Sequence, residues 1–357
     1  MTDPSSRSTH LPSVTVSILC YRDLDTIADC VSSVLELDYG GELDIRIREQ
    51  GQDDAQFAAV KEVVDAAGDR PGRHVTLSRG DNVGFAPGHN IAMREGSGDL
   101  VLLVNADAVV DPSLLTRAVP HFDAPDVGAV QAKVLKRDAD NHDAPVSFDT
   151  TGLLPSRRRL IFNRAQGEPD RGQYDQVEEI FGVDGALALY RRAALEEVAV
   201  PVGGRAGGPV EYLDETFFIY KCDVDIAWRL RWRGWRALYV PEALAWHGRS
   251  MQRSPETRSF RDVYALRKAS PEMGRYLSFG NHRLMQLKDE SLRGLLRDLP
   301  VWLFYELGTW VFFVLTEGGL AFRSIARLAR LSPAAFRKRR LVQSRRAPTA
   351  NPYAWFD

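Results

Sequence analysis

Four segments of this chain carry side chains that can grip a phosphate, hold a cation or move a proton. The first is Asn105-Ala106-Asp107, directly after the apolar run Leu100–Val104. A carboxylate ending a buried strand can hold a divalent cation, which in turn neutralises a diphosphate. The same residue types also make turns that cap a following helix, here one starting near Pro112. The second segment, DNVGFAPGHN (residues 81–90), has two glycines and a proline that fix a loop, with the amides of Asn82 and Asn90 beside it. Gly84 lets backbone approach a ligand closely, although a structured turn before a helix uses the same residues. The spacing is neither a Walker A nor a GxGxxG pattern. In the third segment, Asp223 and Asp225 open a helical pattern that runs through Trp228 and Arg229. Backbone N–H groups at a helix start favour the charged carboxylate, so a low pKa is expected, with readiness to accept a hydroxyl proton. A pair of helix N-caps is the competing reading. The fourth segment is Trp246-His247-Gly-Arg-Ser250, where His247 is a structural histidine unless Asp107 lies near enough to share a metal ion.

These groups need a scaffold, and the apolar pattern supplies one. Short β-branched strands at 14–19, 43–47, 74–77 and 100–104 alternate with helical spacing at 25–37, 57–67 and 88–95. That alternation predicts an α/β fold with a mostly parallel sheet covered by helices on both faces. Ligands in such sheets sit at the carboxyl ends of strands, where Tyr21, Glu49 and Asp107 fall. Residues 137–175 read as a long polar surface loop, pattern returns between 183 and 240, and helices dominate beyond about residue 250.

Composition narrows the function classes. The 357 residues carry 46 Lys+Arg against 48 Asp+Glu, a balance that argues against a nucleic-acid binder. Three scattered cysteines give neither a disulfide framework nor metal spacing, and the polar start MTDPSSRSTHLPS lacks a signal-peptide core, so a cytoplasmic setting is expected. Charge is uneven: between Gly318 and Arg346 there are nine Lys+Arg residues and no acidic one. Just before it, Leu299–Leu315 is the most apolar stretch, broken by Pro300, Glu306 and Gly308, which fits an interfacial helix better than a spanning one.

Taken in order, the four segments resemble the family 2 glycosyltransferases, and the rhamnosyltransferase-like members in particular. GDNVGFAPGHNIAM is similar to the family's N-x-G-F-x-x-G-x-N segment, LVNAD to its N-x-D form of the D-x-D motif, and FGVDGALALYRRAAL to its G-A-x-x-x-x-R-R segment. FIYKCDVDIAWRLRWRGW followed by YVPEALAWH resembles the Y-x-E-D-x-D-L-x-x-R block and the downstream histidine. The resemblance implies a GT-A, Rossmann-like nucleotide-diphospho-sugar transferase domain over residues 14–250, with a polar tail at 1–13 and a helical extension at 251–357. It implies an inverting mechanism in which Asp107 and His247 bind Mg²⁺ or Mn²⁺ and Asp223 is the general base, with Asp225 in reserve. Tyr21, Glu49, Asp54, Asn82, Gly84, Asn90 and Asn105 would line the nucleotide-sugar site, and Gly185, Trp228 and Arg229 the sugar and acceptor pocket. Cys222 stands where the family has a glutamate, Glu49 where it has an aspartate, and Cys20 where it has a threonine.

The implied partners are a nucleotide-diphosphate sugar, rhamnose by subgroup likeness, and a glycan or polyprenyl-linked acceptor of cell-surface polysaccharide synthesis. Arg323, Arg327 and Arg330 recur at helical spacing beside Ile325, Leu328 and Leu331, so the extension is expected to dock peripherally on the inner face of the cell membrane. A helical hairpin packed on the catalytic domain, or on a second subunit of a homo-oligomer, is the alternative. The missing glutamate at Cys222 leaves one rival from another class, a non-catalytic, membrane-associated nucleotide-sugar-binding protein.

Overall fold

The computed structural model describes residues 11–137, 146–248 and 260–356. Its first half follows the apolar pattern closely. Strands β1 (Val14–Cys20), β2 (Leu43–Glu49) and β3 (Arg73–Arg79) are linked by helices α1 (Leu24–Leu35) and α2 (Asp54–Ala67). Helix α3 (Phe85–Glu95) leads to β4 (Leu100–Asn105), then β5 (Ala108–Val110), α4 (Leu114–Ala118) and β6 (Val127–Lys136). Strands β3, β2, β1 and β4 lie side by side in parallel register, because each crossover helix returns the chain to the same end of the sheet.

Beyond β6 the sheet becomes mixed, which corrects the expectation of mostly parallel strands. The chain runs through short strands β7 (Phe148–Thr150), β8 (Leu153–Pro155), β9 (Ile161–Asn163) and β10 (Glu178–Ile180) into β11 (Leu187–Arg191). Among the described residues no helix crosses over in this stretch, and β11 pairs antiparallel with both β4 and β6. Residues 137–175, read as a surface loop, therefore hold strands in their described part, and Arg159 within them is fully buried. Helix α5 (Arg192–Val198), the small ribbon β12 (Val200–Pro201) and β13 (Val210–Glu211), helix α6 (Cys222–Arg233) and strand β14 (Arg236–His247) complete this layer. The strand order is β10-β14-β6-β11-β4-β1-β2-β3. Helices cover both faces as expected, one core forming beneath α1 and α4 and the other beneath α3, α5 and α6.

Three further helices, α7 (Phe260–Ala269), α8 (Glu272–Asp289) and α9 (Leu292–Ser344), form the extension. Helix α9 is kinked at Glu317, whose φ of −146° leaves the helical range. There its carboxylate accepts from Arg267 of α7 at 2.9 Å and Arg275 of α8 at 2.7 Å. The two sides of the kink have opposite surroundings. Before it, Val301, Leu303, Phe304, Leu307, Val311, Val314 and Leu315 are exposed, and this segment is long and apolar enough to cross a membrane by length and composition. After it, α9 packs on the α/β layer. The expected basic face is corrected at Arg327, which is buried and donates to Thr216 O and Asn281 Oδ1, while Arg323, paired with Glu272, and Arg330 stay exposed. The hairpin alternative describes this half of the helix.

Buried charges fasten the extension to the sheet layer. Lys288 of α8 bonds Asp214 at 2.6 Å and also Asp225 of α6, while Lys338 of α9 bonds Asp214 at 2.6 Å and also Glu211. Burial alone would raise the Asp214 pKa, but the two ammonium groups outweigh it and hold the carboxyl well below its usual range. Its stabilising contribution is therefore complete above the unfolded value near 3.9 and fades as pH falls below it. Lys288 is shifted upward by Asp214 and Asp225 against its own desolvation, so its contribution is complete below about 10.4 and fades as pH rises further. Asp214→Asn is expected to cost about 3–5 kcal/mol of unfolding free energy, because it leaves buried lysines undercompensated. Urea titrations across pH check this: the variant's deficit should be full at pH 7 and shrink below about pH 4.

Candidate functional site

Strand register brings the far-separated acid and imidazole together. β14 pairs with β5 so that His247 lies opposite Ala108, the residue after Asp107. The same strand runs parallel to β6, and β6 pairs with β7 at Leu135–Phe148, which carries Asp149 alongside. His247 Nε2 is 2.9 Å from Asp107 Oδ1, and its Nδ1 is 2.9 Å from Asp149 Oδ2. The Asn105 amide stands 3.3 Å from Nε2. Burial would lower the imidazole pKa, yet hydrogen bonds to the two carboxylates win and raise it to about 9. Nδ1 donating to Asp149 fixes the ring's orientation and leaves Nε2 toward Asp107, the arrangement typical of a metal-binding histidine, whose Nε2 proton a cation would displace. The oxygen–nitrogen pair of Asp107 and His247 thus fits a hard-to-borderline divalent cation. Among the described residues no trio of acidic, histidine or cysteine side chains gathers in metal-binding geometry, so diphosphate oxygens and water would complete such a shell.

Asp223 reaches the same edge through the segment Asp184–Ala186, just before β11. Asn105 N–H donates to Ala186 O at 2.9 Å, joining this segment to the end of β4. Asp184 N–H donates to Gln131 Oε1 of β6 at 2.7 Å, and its carboxylate accepts from Ala186 N–H at 3.0 Å. At Gly185 a Cβ would stand 3.4 Å from Asp223 Cβ and 3.6 Å from the Phe85 ring, so Gly185 lies directly against the Asp223 side chain. Burial raises the Asp223 pKa, Asp184 adds to the rise, and Lys221 and the Val224 and Gly185 N–H groups only partly offset it. The helix start therefore does not give the low value expected from sequence. A raised carboxyl is a better proton acceptor near neutral pH. Cys222 beside it is buried and its thiol is pushed well up, chiefly by burial, so it brings no negative charge.

The chain enters α6 through an unusual turn. Phe218, Tyr220 and Lys221 all have positive φ (63°, 69° and 71°), conformations costing about 1–3 kcal/mol each for such residues. Ile219 N–H donates to Phe217 O at 2.7 Å across a γ-turn centred on Phe218. The Phe218 ring packs on Gly84, where φ is 96° and a Cβ would lie 2.5 Å from the ring. Gly84 thus ties the 82–85 loop to the entrance of α6, and Asn82 Oδ1 accepts from Gly84 N–H at 3.0 Å.

Other expected site residues separate into two groups. Tyr21 and Glu49 sit together at the ends of β1 and β2, with the exposed Tyr21 ring beside Gly51. Glu49 itself is fully buried and spent on Gly51 N–H at 2.5 Å, Gln56 at 3.2 Å and Arg79 at 3.2 Å, so it shapes this edge rather than facing it. Five residues fall away from the edge. Asp54 is 95% exposed and paired with Arg79, since the preceding Asp53 takes the N-cap position of α2. Asn90 is buried and clamps α3 to the 212–215 backbone, donating to Leu213 O and accepting from Tyr212 and Leu213 N–H. Asp225 bonds Arg229 at 2.8 Å beneath α6, and Arg229 also donates to Val198 O and Tyr212 O. Trp228 is fully buried against Tyr353 and Phe356. Asp225, Trp228 and Arg229 therefore belong to the core under the extension, not to an acceptor pocket. Arg249 and Ser250 lie outside the described residues. Asp149 and Asp184 were not singled out from sequence; Asp184 stands one place before Gly185 in a segment that was.

Comparison with known proteins gives a consistent picture. A family model described as "Glycosyltransferase like family 2" matches residues 12–268. A curated N-acetylglucosaminyltransferase of Mesorhizobium japonicum is 28% identical over 240 residues, covering 66% of this chain and 51% of the relative. A poly-beta-1,6-N-acetyl-D-glucosamine synthase of Staphylococcus aureus is 23% identical over 246 residues, 68% of this chain and 52% of the relative. The chain thus spans about half the length of these relatives, and neither is a rhamnosyltransferase by name. Among solved structures, GalNAc-T7 with UDP, GalNAc and Mn²⁺ aligns with a TM-score of 0.55 at 13% identity, covering 78% of this chain and 49% of that one. This likeness carries the fold, a GT-A-like α/β arrangement.

Proposed function

This chain belongs to the glycosyltransferase-like family 2, and we propose that it transfers a sugar from a nucleotide-diphosphate donor to a hydroxyl of a glycan or lipid-linked glycan, with inversion. One observation carries the reading: Asp107 and His247 meet at 2.9 Å on the sheet edge that Asp223 also reaches through Asp184–Ala186. Asp107 and His247 would hold Mg²⁺ or Mn²⁺, which supplies charge stabilisation to the leaving diphosphate. Asp149 keeps the His247 ring oriented, and Asn105 sits beside it. Asp223 accepts the acceptor's proton as the new bond forms, with Gly185 directly against its side chain. Tyr21 and the backbone of the 82–85 loop border the nucleotide-sugar site. The relatives' names favour an N-acetylhexosamine donor over rhamnose, and the loss of the family glutamate at Cys222 leaves the base position itself intact.

The exposed apolar half of α9 supports a peripheral seat on a membrane, by insertion of Phe304, Leu307 and Val311 more than by basic charge. Arg327 is engaged internally, so the electrostatic share is smaller than a free basic helix would give.

A thermal-shift panel of nucleotide sugars with Mn²⁺ identifies the donor, since a ligand at a hundredfold excess over its Kd adds about 2.7 kcal/mol of stability. With that donor, Asp223→Asn is expected to lower turnover by about 10²- to 10⁴-fold with donor binding retained. Full turnover in the variant removes Asp223 as the base, and a wild type that binds donor without transferring or hydrolysing it is a binding protein instead. In flotation assays the protein should float with anionic liposomes at both low and high salt, and Phe304→Glu should release it. Absence of binding at low salt contradicts the membrane seat.

A further inference from the structure

The turn that delivers Asp223 is held from outside the α/β layer. Asn281 of α8 is fully buried, and its single amide group lies within hydrogen-bond distance of three carbonyls of the turn: Phe217 O at 2.8 Å, Ile219 O at 2.7 Å and Tyr220 O at 3.0 Å. Its Oδ1 accepts from Arg327 of α9 at 2.8 Å, and the same guanidinium nitrogen donates to Thr216 O at 2.7 Å. The carbonyls so gathered flank the positive-φ residues Phe218, Tyr220 and Lys221. Left to itself, such backbone relaxes toward ordinary conformations, so it persists only where surrounding groups over-determine it. From the opposite side Ala86 N–H, on Phe218 O at 3.1 Å, and the Phe218–Gly84 packing contribute.

We propose that Asn281, itself oriented by Arg327, is a positioning residue for the reaction: by gathering the Phe217, Ile219 and Tyr220 carbonyls it fixes where α6 begins and hence where the Asp223 carboxylate stands. The inference rests on the transferase reading for its catalytic consequence, and on the turn's own hydrogen bonds for its structural one. It assigns the helical extension a part in the chemistry, because both clamp residues come from α8 and α9 and neither touches the space beside Gly185 and Asp223. A base displaced by about an ångström costs roughly a hundredfold in rate, whereas Asp107 and His247, which would hold the donor's cation, are set by strand register and not by this turn.

The test uses the full-length protein and Asn281→Asp, which keeps the side-chain shape and the Arg327 contact but has no amide hydrogens to give the carbonyls. Arg327→Lys is the second variant, and Met273→Ala, on the exposed part of α8, is the control. Two readouts are taken: hydrogen exchange in the peptide spanning Ile219–Asp223, and kcat and donor KM for transfer. The expected result is faster exchange in that peptide for both variants, kcat lowered about tenfold to a hundredfold for Asn281→Asp, donor KM within about twofold, and no change in the control. Unchanged exchange, or faster exchange with kcat intact, overturns the proposal. If the wild type transfers no sugar at all, the transferase reading fails, and the exchange result alone decides whether Asn281 holds the turn.

Discussion

His247 is bonded at both ring nitrogens, to Asp107 on one side and to Asp149 on the other, and four strands, β5, β14, β6 and β7, must be in register for that to occur. A one-residue slip of β14 against β5 or β6 would turn the ring to the opposite face of the sheet. Because β5 follows Asp107 directly, the register that seats His247 also fixes the carboxylate it meets. The second carboxylate, Asp149, is buried and meets the ring at Nδ1. Such partners set tautomer and orientation and matter nearly as much as the ligating groups themselves.

Around this pair the molecule divides its labour by face. Residues two apart on a helix point to different sides. In α6, accordingly, Asp223 stands beside Gly185 at the site, while Asp225 turns inward to Arg229 and Lys288. The same helix thus carries the proposed base and anchors the extension. Buried ion pairs add little net stability over an apolar core, but each constrains its partners strongly once present. Asp214, shared by Lys288 and Lys338, also caps the turn that begins at Glu215, accepting from Thr216 N–H at 3.0 Å. The extension is consequently joined to the site's approach by charge and by the Asn281 amide together.

Much of this was legible in the sequence, because local pattern decides local structure. The alternating strands and helices up to β6, the carboxylate after β4 and the base candidate at a helix start all follow from apolar period and residue type. What escaped depends on contacts between distant segments. Asp149 lies in a stretch whose polar composition reads as a loop, and only pairing with β6 makes it a strand. Asn90 has the residue type of a ligand group, yet its four bonding positions go to backbone and to Glu215 in a segment over a hundred residues away. Asp54 shows the opposite error: with Asp53 as N-cap, the first-turn carboxylate faces solvent. The basic stretch after Gly318 looks uniform in composition, but burial sorts it into internal clamps such as Lys338 and Arg327 and exposed charges such as Arg330 and Arg340.

If Asp107 and His247 face one cation together with the donor's diphosphate, that ion carries a histidine nitrogen. Pulsed electron paramagnetic resonance of Mn²⁺ bound with a nucleoside diphosphate tests it directly, since a ligating imidazole nitrogen imprints its own hyperfine coupling on the ion. The expected spectrum shows a nitrogen coupling that changes on ¹⁵N-histidine labelling and vanishes in His247→Gln. Bound Mn²⁺ with no histidine coupling, or with one that survives His247→Gln, would contradict it.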